Sequence, residues 1–189
     1  TIFNNEKRFC ENCDKISFKG KNIPTLKNNF KQIFSPQTAY QMTSILEGVI
    51  LRGTGKRLRD LNLQIAGKTG TTNNNTDTWF IGFTSNLVVG VYVGMDNPMP
   101  LGKFETGSKT ALPIFKSFIK DAIKKSDARP FKVAEGITMM LVDPITGEKT
   151  DFLSKNSIIE VYKSSNIENG KVQNLNKNRI DSNNVMRFY

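Results

Sequence analysis

Lys68, Thr69, Gly70 and Thr71 stand side by side in the run Ala66-Gly-Lys-Thr-Gly-Thr-Thr72. A cation, a hydroxyl, a glycine and a second hydroxyl in this order suit an extended strand that grips an anion. Lys68 would set a positive charge beside an anionic substrate end. Thr69 and Thr71 would offer hydroxyl donors to a carboxylate. Gly70 would let a substrate backbone lie against the strand with no Cβ between them. The backbone N–H of Thr71 would serve as one of the two donors of an oxyanion hole. One reading of this pattern is the Lys-Thr-Gly edge strand of a serine acyltransferase site. A phosphate-binding P-loop is the competing reading. It needs a glycine where Asn62 stands, and a helix directly after the Lys-Thr pair. An Asn-rich turn at Asn73-Asn-Asn75 follows instead, and then a strand pattern. The plain alternative is an ordinary Thr- and Gly-containing strand, since the three-residue match is common by chance.

Composition narrows the chemistry. The chain has 189 residues and no histidine, which removes Ser-His-Asp and Cys-His catalysis and His-ligated metal sites. Acid–base work falls to Lys, Asp, Glu, Tyr or a thiol, with no cofactor and no metal called for. The two cysteines form Cys10-Glu-Asn-Cys13. A lone C-x-x-C leaves a structural role, half a metal site and a redox pair all open. The net charge is +10, favouring anionic partners or a solvated basic surface. Lys and Asn are scattered rather than clustered, and no nucleic-acid-binding motif occurs, so no nucleic acid is expected. Residues 1–15 lack a signal-peptide core, and no run reaches the roughly 18 apolar residues of a membrane span. Membrane association would come only through a segment outside this chain. Because the first residue is Thr1, a processed product or fragment is expected.

The elements that must position Lys68 can be read around it. Residues 1–34 are polar, with a β-like run at Lys15-Ile-Ser-Phe-Lys19 and turns at Gly20 and Pro24. Ser35-Pro36 starts a helix, as N-cap and first helical residue. Ala39, Met42, Ile45, Leu46, Val49 and Ile50 form its expected buried face, and Arg52-Gly-Thr-Gly55 ends it. Strands follow at 63–72, 77–84 and 87–95. Trp79, Ile81 and Phe83 share one side of the second, and Ser85-Asn86 makes a tight antiparallel hairpin to the third. Gly82, Gly90 and Gly94 are expected where packed elements come close. A helix from about Thr110 offers Ile114, Phe115, Phe118, Ile119, Ala122 and Ile123 as cover for the sheet. Short strands are expected at 131–133 and 137–142, with a turn at Asp143-Pro-Ile-Thr-Gly147. Residues 151–189, rich in Asn, Ser and Lys with an apolar patch at 158–162, are expected to be of low order.

The ordered set of motifs makes the Lys-Thr-Gly strand specific. Gln37-Thr-Ala-Tyr-Gln-Met-Thr-Ser44, Leu46-Glu-Gly-Val49, Arg52-Gly-Thr-Gly55 and Ala66-Gly-Lys-Thr-Gly-Thr-Thr-Asn73 come first. Asp77-Thr-Trp-Phe-Ile-Gly-Phe-Thr84, Val89-Gly-Val-Tyr-Val-Gly94, Glu105-Thr-Gly107 and Ala111-Leu-Pro-Ile-Phe115 follow in order. Together they resemble the C-terminal part of a class A penicillin-binding protein of the 1A type, over roughly residues 1–145. The resemblance implies an α+β, partial penicillin-recognition (serine transpeptidase/β-lactamase-like) fold, an antiparallel sheet covered by helices. It implies residues 1–34 as the end of a small β-rich inserted module and linker, and 35–126 as the C-terminal part of the transpeptidase domain. Residues 127–150 would be a short β extension and 151–189 a tail.

The implied function is peptidoglycan cross-linking at the periplasmic face of the bacterial inner membrane. A serine would attack a D-Ala–D-Ala stem peptide, and an amine of a neighbouring stem would resolve the acyl-enzyme. β-Lactams would acylate the same serine. Lys68 would place the donor carboxylate and support proton relay, Thr69 and Thr71 would bind that carboxylate, and the Thr71 amide would hold the oxyanion. Asp77, Trp79 and Phe80 would support the active-site strand. The family's S-x-x-K and S-x-N motifs have no match before Lys68. Ser117-Phe-Ile-Lys120, Ser154-Lys-Asn156, Ser164-Ser-Asn166 and Ser182-Asn-Asn184 fit them in the wrong order. The nucleophile is therefore expected in an upstream part of the same enzyme, with the glycosyltransferase domain and membrane anchor. A non-catalytic peptidoglycan- or partner-binding module, or a decayed fragment, is the alternative.

Overall fold

The structure is a computed structural model that describes residues 8–11, 25–28, 32–124, 128–151, 157–168 and 171–172. The chain divides into two compact units, Thr1–Ser35 and Pro36–Tyr189. In the first, β1 (Arg8–Glu11) pairs antiparallel with β2 (Thr25–Asn28), Cys10 opposite Leu26. Cys13 and the run 15–19 lie outside the described residues.

The second unit opens with α1 (Pro36–Leu51) and a 3₁₀ turn at Lys56–Leu61. Three strands follow: β3 (Ala66–Thr71), β4 (Thr78–Phe83) and β5 (Val88–Val93). They form one antiparallel sheet in the order β3-β4-β5, so β3 is an edge strand. The expected hairpin closes β4 onto β5: Phe83 faces Val88, and the Thr84 N–H donates to Leu87 O at 2.9 Å around Ser85-Asn86. A 3₁₀ turn at Asn73–Asn75 joins β3 to β4, with Asn74 and Asn75 at positive φ, a conformation Asn tolerates well. A strand, not a helix, follows Lys68-Thr69, which removes the P-loop reading.

Register fixes which side chains share a face. Thr69, Thr71, Thr78, Phe80, Val89, Val91 and Val93 lie on one face, and α2 (Ala111–Ala122) covers it. Phe80 meets Phe115 edge-on with ring centroids 4.7 Å apart. Ile50, Leu58, Ile65, Ala111, Leu112 and Ile119 complete this core. Gly82 sits beneath the rings, where a Cβ would stand 2.6 Å from Phe115 Cζ. Gly90 has no such neighbour, so the expectation of close approach holds at Gly82 and not there.

The other face carries Lys68, Gly70, Trp79, Ile81, Val88 and Tyr92. Trp79 and Ile81 do share a side, but it is the exposed one. Both faces of β4 are apolar, so alternation alone cannot tell which is covered. The helix faces shift similarly. In α2 the buried set is Ala111, Leu112, Phe115 and Ile119, with Ile114 and Phe118 exposed. In α1 burial is confined to Gly48 and Ile50, and Met42 and Ile45 are exposed.

Beyond α2, β6 (Ile137–Val142) pairs antiparallel with β7 (Ile158–Lys163). This corrects the expectation of low order over 158–163. The Asn, Ser and Lys around that run dilute its composition, but Ile158, Ile159, Val161 and Tyr162 are strand formers with a partner to pair with. The strand is also tied to α1: Gln41 Nε2 donates to Val161 O at 3.1 Å, and Arg52 lies 3.6 Å from Glu160. Residues 131–133 form no strand; the Phe131 N–H donates to the Gln64 side chain at 2.9 Å. The turn at Asp143 forms as expected, its carboxylate accepting from the N–H groups of Ile145 (2.7 Å) and Thr146 (3.0 Å). Those bonds hold its carboxyl below the usual carboxylate range. Two short strands, β8 (Ile167–Glu168) and β9 (Lys171–Val172), pair further on.

Candidate active site

The backbone of β3 sets the geometry. Thr72 N–H donates to Asp77 O at 3.0 Å, so those two residues form a hydrogen-bonded pair at the end of the ladder. Antiparallel pairs alternate, which turns the N–H and C=O of Gly70 and Lys68 toward β4. The same alternation turns the N–H and C=O of Thr69 and Thr71 outward, to the open edge of the sheet. An outward Thr71 N–H, outside the ladder and with no partner among the described residues, is the kind of donor an oxyanion hole requires.

The side chains divide between the two faces. Lys68 is exposed, and its Nζ donates to Thr69 O, at the open edge, over 3.0 Å. Gly70 lies opposite Trp79, and a Cβ there would come within 3.3 Å of Trp79 Cβ. On the opposite face, Thr69 Oγ1 is 2.9 Å from Thr54 Oγ1. Thr71 Oγ1 accepts the Gly107 N–H at 3.1 Å. All four expected site residues therefore share one edge segment, with a cation on one side and two hydroxyls on the other.

Asp77 anchors the turn that aims this strand. Its N–H donates to Thr72 Oγ1 at 2.9 Å, and its carboxylate accepts from Tyr92 OH at 2.7 Å and Thr76 Oγ1 at 2.9 Å. The Tyr92 hydroxyl, then those of Thr76 and Thr72, hold the Asp77 carboxyl below the usual carboxylate range. The same bond raises the Tyr92 phenol. Trp79 stacks tilted on Tyr92 at 4.8 Å. Thr78, fully buried, is bonded to Thr110 Oγ1 at 2.6 Å, tying β4 to the start of α2.

Two contacts to the site strand have no role in a reading of the sequence alone: Thr54 and Gly107. Both belong to ordered motifs, Arg52-Gly-Thr-Gly55 and Glu105-Thr-Gly107, but only tertiary folding brings them to β3. The serines that mimic an upstream motif are placed elsewhere. Ser117 is exposed on α2, on the side away from Phe115 and Ile119. Ser164 bonds Thr138 Oγ1 at 2.8 Å. Ser154 and Ser182 lie outside the described residues. Among the described residues no cluster of three or more metal-ligating side chains occurs.

This edge strand, backed by helices and carrying Lys-Thr-Gly-Thr, matches a known family. Residues 13–120 match the family model of the penicillin-binding protein transpeptidase domain. Penicillin-binding protein 1A of Rickettsia felis is 38% identical over 190 residues, covering 99% of this chain and 23% of that protein. The protein of the same name from Pseudomonas aeruginosa is 39% identical over 135 residues, covering 71% and 16%. The crystal structure of penicillin-binding protein 1A from Haemophilus influenzae superposes with a TM-score of 0.62 at 30% identity. It covers 70% of this chain and 21% of that one. The chain belongs to the penicillin-binding protein transpeptidase family, and its sequence places it with the class A, 1A-type members. It spans less than a quarter of the length of these relatives, from 16% of the Pseudomonas aeruginosa protein to 23% of the Rickettsia felis protein.

Proposed function

We propose that this chain supplies the carboxylate-anchoring and oxyanion half of a D,D-transpeptidase site. A nucleophilic serine from an upstream part of the same enzyme would complete it. The observation that carries this reading is the open edge of β3, where the Thr71 N–H points outward between a cation and two hydroxyls. Lys68 would place its charge beside the terminal carboxylate of a D-Ala–D-Ala stem peptide. The Thr69 and Thr71 hydroxyls would donate to that carboxylate, and Gly70 would admit the donor backbone.

The serine Oγ attacks the carbonyl carbon of the penultimate D-Ala. The Thr71 N–H and a second donor stabilise the tetrahedral oxyanion. Collapse breaks the C–N bond, D-Ala takes a proton and leaves, and an acyl ester remains. An amine of a neighbouring stem attacks that ester, forms the cross-linking amide and returns the proton to serine. β-Lactams enter the same first step, but their ring keeps the leaving group attached. No cofactor or metal takes part. The whole enzyme would carry its glycosyltransferase domain and membrane anchor upstream and act at the periplasmic face of the inner membrane. No described helix is long and apolar enough to cross a membrane.

Fluorescent penicillin tests this directly. The isolated chain should take no covalent label. The chain joined to its upstream coding sequence should be labelled, and Lys68→Ala should slow labelling on the order of a hundredfold. Covalent labelling of the isolated chain would put a nucleophile within it and overturn the proposal.

A further inference from the structure

The geometry points to Thr54 as a further positioning residue of the carboxylate site, donating its hydroxyl proton to Thr69 Oγ1. The inference rests on the proposed transpeptidase reading and deepens it. Thr54 Oγ1 and Thr69 Oγ1 lie 2.9 Å apart, a distance at which one hydroxyl donates to the other.

Thr54 is held in place by backbone on both sides. The N–H groups of Gly53 and Gly55 both donate to Val49 O at 3.0 Å, and Leu58 N–H donates to Gly55 O at 3.0 Å. A Cβ on Gly55 would stand 2.5 Å from Ile50 Cδ1, and one on Gly53 would stand 3.0 Å from Val49 Cα. The turn is thus pressed onto the end of α1, and Thr54 projects from it to β3.

The direction of the proton follows from what the site must do. A hydroxyl has one proton and can accept twice. Thr71 accepts from the Gly107 N–H, which leaves its own proton for an anion. Thr69 reaches the same state if Thr54 donates to it. The opposite polarity would spend the Thr69 proton on Thr54 and present lone pairs to a carboxylate. An arriving carboxylate therefore selects the order Thr54 O–H to Thr69 Oγ1, then Thr69 O–H to substrate. Thr54 is exposed, so water could satisfy both hydroxyls and the pair does little for folding. Its consequence is to orient a donor that bonds a charged group.

The test compares a penicillin bearing its free carboxylate with the methyl ester of the same compound. Acylation rates are measured on the protein carrying its upstream part. Thr54→Val should slow the free acid by about tenfold, as loss of an oriented donor to a charged group implies. The ester should change by less than about twofold, and Thr54→Ser should restore the wild-type ratio. An equal loss on acid and ester, or no loss on either, overturns the role of Thr54 while wild-type acylation still upholds the transpeptidase reading. Failure of both compounds to acylate the wild-type protein overturns the transpeptidase reading, and this inference with it.

Discussion

At the scale of single residues the site strand is held from behind by groups that are nearly free of side-chain bulk. Gly107 is buried against the Gly70–Trp79 pair, and a Cβ there would stand 2.6 Å from Gly70 O and closer still to Trp79 O. Its N–H is the partner of Thr71 Oγ1. Gly107→Ala must therefore push the loop off β3 or bend the strand, since backbone oxygens cannot rotate away. The expected cost is about 1–3 kcal/mol, the range for overpacking a closed contact. Urea unfolding of the variant against wild type checks it; an unchanged midpoint would mean the loop yields freely. None of this was legible from the residues. The four site residues were, because their types and order encode the chemistry. Gly107 and Thr54 were not, because their roles are contacts across 36 and 15 positions of chain.

At the scale of elements an aromatic contact lies at the centre of the packing between the sheet and α2. Phe80 and Phe115 are both fully buried and meet edge-on. Phe115→Ala should cost about 3–5 kcal/mol, a large part of the stability of a typical domain. Gly82 gives a sharper check. Gly82→Ala alone sets its methyl against the Phe115 and Phe80 rings and should destabilise. In the Phe115→Ala background the Phe115 part of that clash is gone and Phe80 has room to shift, so the double variant should lose less than the sum of the two single losses. Additive losses in thermal melts would contradict the packing described for Gly82. The strands here were readable because β3, β4 and β5 carry strand formers and the link at Ser85-Asn86 is too short for anything but a hairpin. The helix faces were read one step off. Ile114 and Phe118 belong to the apolar pattern of α2, yet the axis of packing selects Leu112, Phe115 and Ile119. β7 was missed for a different reason: its partner β6 lies sixteen or more residues away, and pairing, not composition, makes it a strand.

At the scale of the molecule, the open face of the sheet sets a measurable expectation. Trp79, Ile81 and Tyr92 are 42%, 50% and 50% exposed on that face, and Val88 is 70% exposed. Such a cluster of large apolar side chains invites a covering layer. In the proposed enzyme the upstream part bearing the serine would be that layer. Trp79 is the chain's single tryptophan, so fluorescence reports on this face alone in the isolated chain, and in the joined protein once any upstream tryptophans are replaced by phenylalanine. It also lies opposite Gly70, in the middle of the site strand. In the isolated chain iodide should quench it strongly, helped by a net charge of +10 that attracts the anion. Joining the upstream part should move the emission to shorter wavelength and cut iodide quenching severalfold, as water leaves the ring and the face is closed. High salt should weaken the quenching in the isolated chain, because screening shortens the reach of its positive field. Emission and quenching identical in the two proteins would mean the upstream part does not cover this face. The serine would then have to reach Lys68 and Thr71 from the open edge of β3 without closing over Trp79.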